Sequence, residues 1–240
     1  MRVRLYVEGG GDSGSTKAAC REGFRRLFQN LGTLGQNPTI IASGGRLKAF
    51  QNFCDALARN ADELILLLVD AERPVRSGVW AHLGARPDNW SRPRVARDEQ
   101  AHLMVQSMEA WFIADKEELA EYYGQGFRLR SLPSRRDIEA IPKDDLVPAL
   151  ERAARDTKKG TYHKTAHGYD ILGLVSPAKI REKSPHADRF FNVLEVLTRG
   201  GGRDIGFPPC LRFPKIAASF NYFRYQSSIA NQKSTIQNRQ

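Results

Sequence analysis

The sequence predicts an α/β fold: a central, mostly parallel sheet flanked by helices, followed by a helical and loop-rich C-terminal extension. Three observations carry this. Strand-like and helix-like segments alternate through the first half of the chain, joined by connections of a few residues. The run Leu64 to Val69 is uninterruptedly apolar, as a parallel strand buried on both faces requires. A hydrophobic content of 41% is enough to fill a core between sheet and helices.

Arg2 to Val7 predicts the first strand, with Val3, Leu5 and Val7 alternating with Arg4 and Tyr6. Ser13 or Ser15 is placed to cap a helix running to about Asn30, whose apolar face is Cys20, Phe24, Leu27, Phe28 and Leu31. Gly32 and Gly35 end it. Pro38 to Ala42 predicts a second strand, Ser43-Gly44-Gly45 a turn, and Arg46 to Asn60 a second helix. The third strand, Leu64 to Val69, ends in Asp70-Ala71-Glu72. Residues 73 to 97 are rich in Pro, Arg and Trp and predict a long functional loop. Ala101 to Gln106 predicts a fourth strand, and Ser107 is placed to cap a helix from Met108 to Tyr123. The stretch 124 to 144 is basic and irregular; Leu146 to Asp156 is helical, and short helices are expected at about 176–182 and 184–198. Glycines at 200 to 202 and prolines at 208, 209 and 214 mark a loop-rich end, and the chain after Tyr225 is polar with no acid. The expected organisation is a core over 1–123, a helical and basic extension over 124–225, and a flexible tail over 226–240.

The net charge is +10 and the pI about 9.7. Such a field favours polyanions, nucleic acid before acidic lipid or acidic protein. The longest apolar run is too short to span a bilayer, so no membrane partner is expected. The N-terminus shows no signal-peptide pattern, which makes the cytoplasm the expected location. Cys20, Cys54 and Cys210 are far apart without C-x-x-C pairing and read as reduced thiols.

The stretch VEGGGDSGSTK invites two readings. As a phosphate loop, Gly9 to Gly14 has the right glycine spacing, but Ser15 and Thr16 follow and Lys17 comes too late. A G-x-G-x-x-G match is also present, yet Glu8 and Asp12 put negative charge where a pyrophosphate would sit. As an acid site it explains more. Glu8 lies at the end of the first strand, and Asp70 and Glu72 at the end of the third. In a parallel sheet these ends share one edge, where ligands bind. Alternation puts Asp70 and Glu72 on the same side. Carboxylates crowded together repel one another, and a hard divalent ion such as Mg²⁺ or Mn²⁺ removes that penalty.

These residues resemble a known family. VEG-G-x-D after the first strand, with D-x-E after a buried strand, resembles the TOPRIM domain of topoisomerases, primases and overcoming-lysogenization-defect nucleases. The stretch QSMEAWFIAD is similar to an uncharacterised bacterial family of TOPRIM-like nucleases encoded beside AAA-type or SMC-like ATPases in anti-phage loci. The resemblance implies a Rossmann-like core, Glu8, Asp70 and Glu72 as metal ligands, and a Mg²⁺- or Mn²⁺-dependent nuclease, DNA being the favoured substrate. It also implies an ATPase partner. Glu72 stands where the family has Asp, one methylene shorter.

Glu109 is either a first-turn helix charge or a further metal ligand at the same edge. Met108, Trp111 and Phe112 are expected in the core. In TYHKTAHGYD, Lys164 is the candidate to offset charge on a reacting phosphate and, with Glu8, the candidate catalytic pair; His163 and His167 could pair on zinc. Arg73, Arg76, Arg135 and Arg136, within two arginine-rich loops that also contain Arg86, Arg92 and Arg128, are the candidate nucleic-acid contacts together with Lys158. Trp80 and Trp90 in the first loop are candidates to stack on bases. The rival functional class is a non-catalytic nucleic-acid-binding or regulatory subunit of an ATPase complex; a nucleotide-binding enzyme is the third.

Overall fold

Strands β1 (Val3–Val7), β2 (Thr39–Ala42), β3 (Leu64–Asp70) and β4 (Ala101–Met104) form one parallel sheet in the order β2-β1-β3-β4. The computed structural model describes residues 2–60 and 63–199, all within one compact unit. The expected tail over 226–240, the loop-rich end before it and Cys210 lie outside the described residues. Val7 is in register with Ala42 on one side and Leu68 on the other, and Asp70 with Met104. The chain leaves β1 sideways for β2 and returns on the opposite side for β3. The strand order therefore reverses at the β1–β3 gap, where ligand crevices open in such sheets.

Helices α1 (Gly14–Asn30) and α2 (Arg46–Arg59) connect the first three strands. The whole of β3 is buried, and its alternate residues serve the two faces. Ile65, Leu67 and Val69 join Tyr6, Phe50, Phe53, Leu83 and Trp90 in one apolar cluster under α2. Away from it, α1 contributes buried Phe24 and Phe28, and Phe28 lies 6.0 Å from Phe190. Among the described residues no helix is long and apolar enough to cross a membrane.

Two sequence expectations change here. Residues 73–97 contain a short helix, α3 (Val79–Gly84), and part of the core. Trp90 is 4% exposed and stacks on Phe50 at 4.3 Å, and Trp80 is half-buried, 6.3 Å from Phe53. Trp90 is closed to bases, because burial of its large aromatic area outweighs the polar company it keeps in sequence, and Trp80 has part of its ring covered by Phe53. The expected helix from Met108 to Tyr123 is two helices, α4 (Met108–Ala114) and α5 (Lys116–Tyr123). Asp115 breaks it by accepting from the amides of Glu118 at 3.2 Å and Ser176 at 3.0 Å.

The extension comprises α6 (Lys143–Ala154), a π-turn over Lys164–Gly168, α7 (Tyr169–Leu172), α8 (Pro177–Lys183) and α9 (Pro185–Arg199). It packs directly on the core. At Gly23, inside α1, an added Cβ would meet the Tyr169 carbonyl at 2.5 Å, so glycine allows α7 to lie against α1. Along the edge strand β4, Arg189 of α9 donates to the carbonyls of Asp98 at 2.8 Å and Ala101 at 3.4 Å, which covers unpaired backbone.

Candidate metal centre

Glu8 follows β1, and its amide stays on the sheet by donating to the Leu68 carbonyl at 3.1 Å. Gly9, Gly10 and Gly11 then turn through φ values of +136°, +85° and +51°, where a Cβ would be strained. Gly9 and Gly44 exchange backbone hydrogen bonds of 2.8 Å in both directions. The Gly10 amide donates to the Tyr169 hydroxyl at 2.5 Å, and the Thr16 hydroxyl donates to the Gly10 carbonyl. Ser13 caps α1 by accepting from the Thr16 amide at 3.1 Å. The amides of Gly9 and Gly10 are therefore taken by protein acceptors, which argues against a phosphate cradle.

This turn sets Glu8 beside the end of β3. One carboxylate oxygen from each of Glu8, Asp70 and Glu72 lies within 4.8 Å of the others. Asp70 is 4% exposed. Its Oδ1 accepts from the Met108 amide at 2.9 Å, and its own amide donates to Glu8 Oε2 at 3.2 Å. Glu72 lies beyond the strand with φ +67°, so a left-handed residue, rather than strand alternation, returns its carboxylate to the group. Glu109 is buried at the same edge in the first turn of α4. Its Oε2 accepts from the Ser107 hydroxyl at 2.8 Å, and its Oε1 from the Tyr162 hydroxyl at 3.2 Å. Ser107 thus orients Glu109 in place of the expected helix cap.

Three cations of the chain answer these acids. Arg46 Nη1 lies 3.4 Å from Glu8 Oε2 and donates to the Asp70 carbonyl. Its Nε donates to Asp88 at 2.7 Å, and its guanidinium lies 4.5 Å from the centre of the Trp90 ring. Lys143 pairs with Glu72. Lys164 Nζ lies 3.3 Å from Glu109 Oε1 and 3.8 Å from Asp70 Oδ2. Lys164 is the half-exposed member, with 46% of its side chain open to solvent.

Burial dominates the titration of this group. It pushes Asp70 up to about 8 even though the Lys164 charge pulls the other way. Glu8 is raised by burial against the pull of Arg46. At Glu109 burial is outweighed by Lys164 and the Ser107 hydrogen bond, and the carboxyl is held below its usual range. Lys164 is raised because Asp70 and Glu109 together outweigh its own burial. The donor set, carboxylate oxygens on a narrow edge, fits a hard divalent cation such as Mg²⁺ or Mn²⁺ and not a soft one.

The structure brings Glu8, Asp70, Glu72, Glu109 and Lys164 together. Arg73, Arg76, Arg135, Arg136 and Lys158 are exposed at the surface, with Arg136 3.2 Å from Glu182. Arg86 is instead half-buried and donates to the Ala71 carbonyl at 2.9 Å, and Arg92 and Arg128 pair with Asp98 and Asp156. Met108, Trp111 and Phe112 are buried. His167 Nδ1 accepts from the His163 amide at 3.2 Å and faces the Tyr123 hydroxyl at 3.3 Å. Sequence reading missed Arg46, Lys143 and Tyr169. Arg46 had a signal, since it follows the turn after β2 and so lies on the carboxyl edge; Lys143 had none.

A family model described as Domain of unknown function (DUF4276) matches residues 7–195, from the residue before Glu8 through Lys164 and most of α9. No curated protein and no solved structure matches the chain. With that much of its length matched, the chain belongs to the DUF4276 family.

Proposed function

We propose that the protein is a Mg²⁺- or Mn²⁺-dependent, TOPRIM-like nuclease that hydrolyses nucleic-acid phosphodiesters, DNA being the favoured substrate. The observation that carries this reading is the meeting of Glu8, Asp70 and Glu72 within 4.8 Å at the switch point of a parallel sheet. Glu8, Asp70 and Glu72 would hold the ion, with Glu109 beside them. When bound, such an ion supplies Lewis-acid stabilisation of the phosphoryl oxygens and a more acidic water. Glu8, held beside Arg46, would set its carboxylate next to the reacting phosphate. Lys164 would offset negative charge on the phosphate, and Ser107 and Tyr162 hold Glu109 in position for it. Exposed Arg73 and Arg76, just past Glu72, suit contacts to flanking phosphates.

Purified full-length protein should bind Mg²⁺ or Mn²⁺ by calorimetry and nick plasmid only in its presence. Lys164→Ala should lower the cleavage rate by about 10²–10³-fold with substrate affinity nearly kept. Absence of divalent binding at millimolar concentration sinks the metal site. A second reading has one observation in its favour: Arg46, Lys143 and Lys164 already offset the acids without an ion. In that case the protein is a non-catalytic, nucleic-acid-binding or regulatory subunit of an ATPase complex. Tight nucleic-acid binding with no divalent requirement and no nicking would decide for it.

A further inference from the structure

The segment YYGQGF (122–127) was not assigned a role by its sequence, and it lies against the turn that carries Lys164. Gly124 and Gly126 have φ values of +69° and +92°, and the Phe127 amide donates to the Gly124 carbonyl at 3.2 Å. A Cβ at Gly126 would meet the Asp156 carbonyl at 2.3 Å, so only glycine lets this turn pack on the loop bearing Lys158 and Lys159. The turn folds Phe127 back on Tyr123 in a parallel stack, with centroids 5.2 Å apart and planes at 0°. Tyr123 is buried while Phe127 is half-buried, so the stack ends in a ring that reaches solvent. Tyr122, also half-buried, has the Lys159 ammonium 4.5 Å from its ring centre. His167, in the π-turn that begins at Lys164, meets the Tyr122 ring edge-on at 6.2 Å and the Tyr162 ring at 6.5 Å. Tyr162 in turn donates to Glu109. Partial burial and the nearby His163 and Lys159 hold His167 below its usual range.

We propose that Tyr122 and Phe127, with Lys159 and His167, form a platform on which an unpaired base of a polynucleotide stacks beside the turn that carries Lys164. This deepens the nuclease reading and rests on it for what happens at the neighbouring acids. Stacking needs rigid half-exposed rings and a cation for the adjoining phosphate, and the cluster offers both. The ammonium of exposed Lys159 moves from ring to phosphate as the base arrives. The platform implies a preference for single strands, frayed ends or flaps over uninterrupted duplex, because a paired base presents no free face.

The test uses full-length protein in EDTA, so that binding is read without cleavage. The probes are a short single-stranded oligonucleotide carrying 2-aminopurine, the same backbone with abasic positions, and a duplex of equal length. Wild type should quench 2-aminopurine and bind the base-bearing strand more tightly than the abasic one. Tyr122→Ala and Phe127→Ala should weaken the base-bearing strand by about 5–100-fold and leave the abasic strand unchanged, a range set by stacking on one ring. Tyr122→Phe and Phe127→Tyr should retain binding. Equal affinity for base-bearing and abasic strands overturns the platform, as does equal weakening of both by the alanine variants. If an alanine variant melts early, the wild-type comparison decides alone. Cleavage in Mg²⁺ or Mn²⁺, scored separately, shows whether the nuclease reading stands whatever the platform does.

Discussion

Asp70 closes β3 with its carboxyl shut off from water and its Oδ1 on the Met108 amide. Burial holds it near 8, against about 3.9 in an unfolded chain. The folded state therefore favours the protonated form. The stability this gives is complete below the unfolded value and is lost as pH rises to about 8. Glu8, also raised, adds to that slope, whereas Glu109, held low, opposes it. In EDTA the melting temperature should fall from about pH 4 to 8, and Asp70→Asn should flatten the fall and melt higher than wild type at pH 8. A melting curve independent of Asp70 across this range would show that the carboxyl is not strained by its burial. The acids themselves were legible because strand ends bring them to one edge whatever the side-chain packing. Lys143 was not, since it reaches Glu72 across 71 residues of chain and nothing local marks that approach, whereas Arg46 was marked only by its place after the turn that follows β2.

At the scale of elements, the loop after β1 is held by the turn after β2. Gly44 has φ +80°, and a Cβ there would sit 2.7 Å from the Gly11 carbonyl. Gly44→Ala should cost about 1–3 kcal/mol, a strained φ plus a displaced loop, and should weaken divalent binding along with it. Gly14→Ala, where an added Cβ meets nothing within 4 Å, should be neutral or slightly stabilising in the same thermal assay. Equal losses from both would mean that the close approach of the two turns does not matter. Strands and helices through β4 were legible because alternation and helical spacing are local signals. The break at Asp115 and the helix α3 were not, because both answer to partners far along the chain. Asp115 accepts from Ser176, and Leu83 and Trp90 bury against the sheet. Tryptophans among arginines read as a binding loop by composition, and packing against Phe50 decides otherwise.

For the molecule as a whole, the net charge of +10 dominates encounters with polyanions. Affinity for nucleic acid should fall linearly on a log–log salt plot, and Arg135→Ala with Arg136→Ala should reduce the slope by about 1–2, weakening all sequences alike. A salt-independent interaction would remove the basic loops from binding. The contact between the Gly10 amide and the Tyr169 hydroxyl joins residues 159 apart in sequence. Synthesis runs from the amino end, so the strands through Met104, with Glu8, Asp70 and Glu72, are made before Lys143, Lys164 and Tyr169 exist. During that interval the acid edge has only Arg46 as a cation from the chain among the three that later face it. The remaining charge of the nascent edge is therefore left to solvent until the two lysines arrive.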